Sequence, residues 1–126
     1  MHGEGAQRPG VSEKDARTPA QRKIDSHLLV EIYRRRGEAA SKDVPPAPTT
    51  VKIDARDRAL VDIRADVTPE LTKKIRALGG VVLSTSKPYQ STIARVPVLK
   101  LEALAALPVV RFISPAAEAQ LDRQSH

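Results

Sequence analysis

Residues 51–116 predict an α+β domain, four strands in one antiparallel sheet with two helices on one of its faces. Three observations carry that expectation. The segment repeats itself at an offset of 29 residues, so that Ile75 falls on Leu104, Leu78 on Leu107, the breaker Gly79 on Pro108, and Val81 on Val110. Each repeat reads strand, helix, strand, with apolar spacing that switches from two to between three and four. The elements are punctuated by start and stop signals of the kinds that open and end helices and strands.

In chain order, Leu60-Val61-Asp62-Ile63-Arg64-Ala65 alternates as a half-buried strand does. Thr68-Pro69-Glu70 supplies an N-cap with proline at the first helical position. Leu71, Ile75 and Leu78 follow at helical spacing, and Gly79-Gly80 ends the helix. Val81-Val82-Leu83 is a strand, Lys87-Pro88-Tyr89-Gln90 a turn, and Ser91 to Val96 a third strand closed by Pro97. Leu101, Leu104 and Leu107 line a second short helix that stops at Pro108, and Val109 to Ile113 forms a fourth strand closed by Ser114-Pro115. Two strand–helix–strand units joined by right-handed crossovers give the split βαβ, or ferredoxin-like, arrangement.

Upstream the chain changes character. Residues 1–17 are polar and glycine-bearing with one Val11, too little apolar surface to offset the entropy of ordering, and are expected to be disordered. Thr18 and Pro19 then signal a helix start, and Gly37 a stop. Between them Ile24, Leu28 and Ile32, with Leu29 and Tyr33 beside them, form one apolar stripe. A lone helix in water cannot account for that stripe, so it must dock on the following domain, on a second copy or on a partner. Arg34, Arg35 and Arg36 suit the negative end of the helix dipole; an anionic contact is the alternative reading. Residues 38–50, with Val44-Pro45-Pro46-Ala47-Pro48, read as a stiff linker, and residues 117–126 as a flexible tail.

Composition narrows the function classes. With no cysteine there is neither a disulfide nor a thiolate metal site. The net charge of +6 divides as 9 basic against 7 acidic residues in 1–50 and 12 against 8 thereafter, a mixed surface with a mild basic bias. Nucleic-acid binders concentrate such charge and add stacking aromatics; here only Tyr33, Tyr89 and Phe112 are aromatic, and no nucleic acid is expected. The amino terminus has no apolar run typical of a signal peptide, and no stretch is long enough for a membrane span. The expectation is a soluble protein, cytoplasmic by default. His2, His27 and His126 lie outside the predicted domain, no two at ligand spacing, and no glycine-rich loop opens a helix. Neither an enzyme nor a cofactor or metal protein is expected.

With both helices on one face, the other face must meet water or a partner. The fourth strand is apolar in both phases, Val110 and Phe112 against Val109 and Ile113, so either orientation exposes apolar surface. In the third strand Thr92, Ala94 and Val96 oppose Ile93, and only the first strand offers a polar phase, in Asp62 and Arg64. Scattered exposed apolar residues are normal; a contiguous patch would mark an interface.

The run Val61-Asp62-Ile63, Thr68-Pro69-Glu70-Leu71, Leu78-Gly79-Gly80-Val81-Val82, Ala94-Arg95-Val96-Pro97 and Leu104 through Pro115 resembles the propeptide-type inhibitor domains of subtilisin-like proteases. The resemblance covers about half the chain, and its most specific parts are the helix–Gly-Gly–Val turn and the closing strand. It implies a domain that packs its bare sheet face on the protease and lays the following segment into the active-site cleft like a substrate. Attached, such a domain assists folding; free, it inhibits. By position, the contacts would be Ile93, Arg95, Phe112 and Ile113, then Ser114, Pro115, Ala116 and Ala117, with Glu118, Ala119, Gln120 and Leu121 in the inhibitory tail. The partner expected is therefore a subtilisin-like serine protease. The alternative is an assembly module forming a homodimer through the sheet face and the N-terminal helix.

Overall fold

The computed structural model describes residues 17–38 and 51–117. The expectations for 1–16, the linker 39–50 and the tail 118–126 lie outside the described residues. Four strands, β1 (Arg58–Ala65), β2 (Val81–Ser86), β3 (Ser91–Pro97) and β4 (Val110–Pro115), form one antiparallel sheet in the order β2-β3-β1-β4. Helices α2 (Pro69–Ala77) and α3 (Leu101–Ala105) connect them as βαββαβ, and α1 (Ser26–Arg36) precedes them. The ferredoxin-like α+β fold is as the sequence predicts.

Local chemistry sets each boundary. The Thr68 hydroxyl accepts from the Leu71 N–H at 3.1 Å and Pro69 opens α2. At its end Gly79 adopts φ 93°, and the Gly80 N–H reaches back to the Ile75 carbonyl at 2.9 Å, satisfying a last-turn acceptor. A Cβ at Gly80 would stand 2.8 Å from Ile75 Cγ2 and 2.9 Å from the Arg95 carbonyl, so this glycine lets the helix end press onto β3. Where β4 stops, Ala116 donates to the Leu60 carbonyl, and the Leu60 N–H donates to Lys52 beyond it, which prolongs the sheet edge through a tight turn at Asp54–Arg58.

The amino-terminal helix differs from its expected outline. Thr18 and Gln21 do form a reciprocal cap, Thr18 Oγ1 accepting from the Gln21 N–H and Gln21 Oε1 from the Thr18 N–H. That cap serves only a 3₁₀ turn over Gln21–Lys23. Ile24 is extended, because it bridges in parallel to Ile113 while the Asp25 N–H donates to the Ile113 carbonyl at 2.9 Å. Asp25 then caps α1 anew through the His27 N–H at 2.8 Å, and Gly37 closes it in the left-handed conformation.

The docking question is answered by burial. Ile24, Leu28, Leu29, Ile32 and Tyr33 join one core with Ala59, Val61, Ile63, Ala94, Val96, Leu71, Ile75, Leu101, Leu104 and Ile113. Ion pairs fasten the helix from outside. Arg35 bridges Glu31 at 2.7 Å and Asp57 at 2.6 Å, and Arg36 pairs with Glu102, which also accepts from Gln21. The stripe is thus satisfied by the domain that follows it.

Candidate protein-binding face

The strand registers fix which residues share the helix-free face. Three rows cross it. The first runs Val81, Arg95, Leu60; the second Ser84, Ile93, Asp62, Ser114; the third Ser86, Ser91, Arg64, Phe112. The opposite phase, with Val61, Ile63, Ala94 and Ile113, lies in the core. Beyond the first row Ala116 turns onto the helix-free side and packs with Leu60 and Ile93 in a small second cluster.

The middle of this face is closed and its rim is exposed. Leu60 and Ile93 are fully buried and Asp62 is 2% exposed, whereas Phe112 is 38% and Val81 41% exposed. The two exposed apolar residues stand at opposite corners, so the apolar surface is divided, not contiguous. Asp62 and Arg64 on the central strand separate them, a polar phase visible in the sequence. Asp62 accepts a 2.6 Å hydrogen bond from Ser91 Oγ and lies 3.4 Å from Arg64 Nη2.

Of the residues expected to meet a partner, Ile93, Arg95, Phe112 and Ser114 are brought together on this face. Ile113 faces the other way, fully buried, with its carbonyl bonded to Asp25. Pro115 shares the phase of Val61, on the helix side. Ala116 is buried against Leu60, and Ala117 is exposed at the end of the described chain. Glu118, Ala119, Gln120 and Leu121 lie outside the described residues. The sequence reading did not place Val81, Ser91 or Leu60 here; the signal for them was the register, which only the pairing partners define.

The remaining chemistry is sparse. His27, the one histidine among the described residues, contacts Asp25 Oδ1 at 3.1 Å on the surface of α1 as part of its cap. Among the described residues no group of three His, Cys, Asp or Glu could hold a metal ion, and no helix is long and apolar enough to cross a membrane. A groove of about 310 Å³ on the helix side, between Leu71, Lys74, Leu107, Pro108 and Val109, is lined mostly by apolar atoms.

No family model, no curated protein and no solved structure matches this chain.

Proposed function

We propose that the chain is a non-catalytic inhibitor or propeptide-like domain for a subtilisin-like serine protease, held through the helix-free sheet face and the segment that follows β4. The observation that carries this reading is the placement of Ala116. It packs on Leu60 and Ile93, so the end of β4 is anchored on the same face as Phe112, Arg95 and Val81. Face and tail can therefore engage one partner together, each raising the effective concentration of the other. An extended tail pairs its backbone with the strands of a cleft, while the face supplies anchorage away from the scissile position. Phe112 is the one exposed aromatic residue on the face, the residue class that dominates binding energy at interfaces.

Self-association is the second reading. The stripe of Ile24, Leu28 and Ile32 lies inside the protein's own core, so a homodimer would rest on the sheet face alone.

The experiment is inhibition of a purified bacterial subtilisin by the full chain and by a version ending at Ala117. Inhibition that weakens sharply on truncation supports the substrate-like tail. Equal inhibition by both retains the face and discards the tail. No inhibition by either, with the domain shown to be folded, overturns the protease reading.

A further inference from the structure

The two edges of the sheet are treated differently. β4 has Ile24 and Asp25 against its outer side, whereas β2 pairs on one side only, with β3, among the described residues. An edge of this kind presents a row of backbone donors and acceptors shaped to receive another strand. Proteins blunt such an edge with charge, proline or a bulge; Val81-Val82-Leu83-Ser84-Thr85-Ser86 contains no charge and no proline, and its one irregularity lies at Leu83. Val81 and Leu83 are 41% and 39% exposed along it. The register shift between Val82 and Ser84 makes Leu83 the extra residue of a bulge.

What surrounds the edge is basic. In α2, Leu71 and Ile75 point into the core, and Glu70 and Lys74 line the groove toward Leu107 and Val109. Helical geometry then puts Thr72 and Arg76 on the opposite flank, above β2, with Lys73 next to them. On the other side of the sheet Arg95 is the cross-strand partner of Val81, and Lys87 follows the strand directly. Lys73, Arg76, Lys87 and Arg95 make no ion pair with another described residue. The only acid of α2, Glu70, is on the far flank.

We propose that the β2 edge is a binding site for an extended acidic peptide segment, which adds to the sheet as a fifth strand. Main-chain hydrogen bonds to β2 supply the docking, Val81 and Leu83 meet its apolar side chains, and the flanking cations select for carboxylates. Charge decides between this occupant and a second copy. Pairing β2 with its own symmetry mate would bring the Lys73 and Arg76 flank of one α2 toward its equal, a repulsion that an acidic strand turns into attraction. The site shares Val81 and Arg95 with the proposed protease-binding face but uses neither Phe112 nor the segment after β4, so peptide shifts along β2 test it apart from protease inhibition.

The test is titration of the ¹⁵N-labelled full chain with a peptide of about ten residues, the length of a long strand, alternating valine and glutamate. Amide shifts confined to β2 and the Arg76 flank of α2 are expected. One of two peptides N-methylated on alternate residues, the one whose methyl groups face β2, should lose binding while the other keeps it. The double variant Lys73→Glu, Arg76→Glu, in exposed positions, should weaken binding about tenfold or more with the circular dichroism spectrum unchanged. Absence of shifts at millimolar peptide would overturn the proposal. So would equal binding of both methylated peptides, which is attraction by charge alone, or a doubling of mass with concentration through β2.

Discussion

Ser91 Oγ donates a 2.6 Å hydrogen bond to Oδ1 of Asp62, between adjacent central strands and on the face that carries no helix. Both residues are almost fully buried, at 1% and 2% exposure. Buried polar groups of this kind are costly to leave without their partners. Ser91→Ala should therefore destabilise the domain by about 1–3 kcal/mol, read from the urea midpoint at unchanged slope. A loss below about 0.5 kcal/mol, the level of ordinary surface substitutions, would mean that Asp62 does not depend on Ser91.

The Arg35–Asp57 pair makes the docking of α1 sensitive to acid. Hydrogen bonds from the Arg35 guanidinium hold the Asp57 carboxyl below its ordinary 3.8. Burial pushes Asp54 up, but the N–H groups of Arg58 and Arg56 and the Arg58 guanidinium outweigh it and pull it below 3.8. A carboxyl lowered on folding contributes stability above its unfolded value, and that contribution is lost as the pH falls through the lower folded value. Asp57→Asn is a clean probe, because Asp57 sits at φ 61°, a conformation asparagine tolerates. With Asp57 half exposed, the variant should lose no more than about 1 kcal/mol at pH 7. Urea titrations below pH 3.8 should show the gap between the two proteins closing; a gap that persists there would mean that the charge pair is not the cause.

Leu28 and Ile32 are fully buried in the shared core, so α1 belongs to the same cooperative unit as the sheet. Leu28→Ala should cost about 2–5 kcal/mol. Far-ultraviolet circular dichroism and the Tyr33 signal should report one transition moving together. Two separated transitions would mean that the helix melts on its own.

At Gly80 the end of α2 comes so close to the sheet that there is no room for a Cβ. Gly80→Ala should cost about 1–3 kcal/mol, since the new Cβ must displace Ile75 or the Arg95 backbone. An unchanged thermal midpoint would show that the α2–β3 contact yields freely.

Phe112 separates binding from folding. At 38% exposure, on the rim of the face, its replacement by serine should cost about 1–2 kcal/mol and leave the domain folded. The same variant should weaken subtilisin inhibition at least tenfold, the equivalent of about 1.4 kcal/mol for an interface anchor. Undiminished inhibition would remove Phe112 from the interface.

The domain was legible because its signals are local. Thr68-Pro69 and Gly79-Gly80 bracket α2 within a dozen residues, and the alternation of β1 needs no partner to be seen. The orientation of β4 was not legible, because Val110, Phe112 and Ile113 are apolar in both phases. Only pairing with β1, and the Ile24 and Asp25 contact at its outer edge, turns Phe112 out and Ile113 in. The same contact explains the misplaced start of α1. Ile24, Leu28 and Ile32 share a period of four, but the requirement at Ile24 is an extended backbone beside a strand 89 positions away, which no local pattern encodes. On the candidate face, Asp62 and Arg64 announced a polar phase, while the neighbours that divide the apolar corners depend on register and stay invisible until strands are paired.

That bridge from Ile24 to Ile113 also bears on how the protein is made. During synthesis the apolar stripe of α1 emerges well before its strand partner, which follows 89 positions later. Closing so long a span is entropically slow compared with forming the hairpin of β2 and β3. The nascent chain therefore holds Leu28 and Ile32 without their full cover until Ile113 clears the ribosome. The interval is when proteases and chaperones compete for it. Conversely, loss of β4 would strip α1 of part of its seat, so nicking that strand would loosen α1 with it.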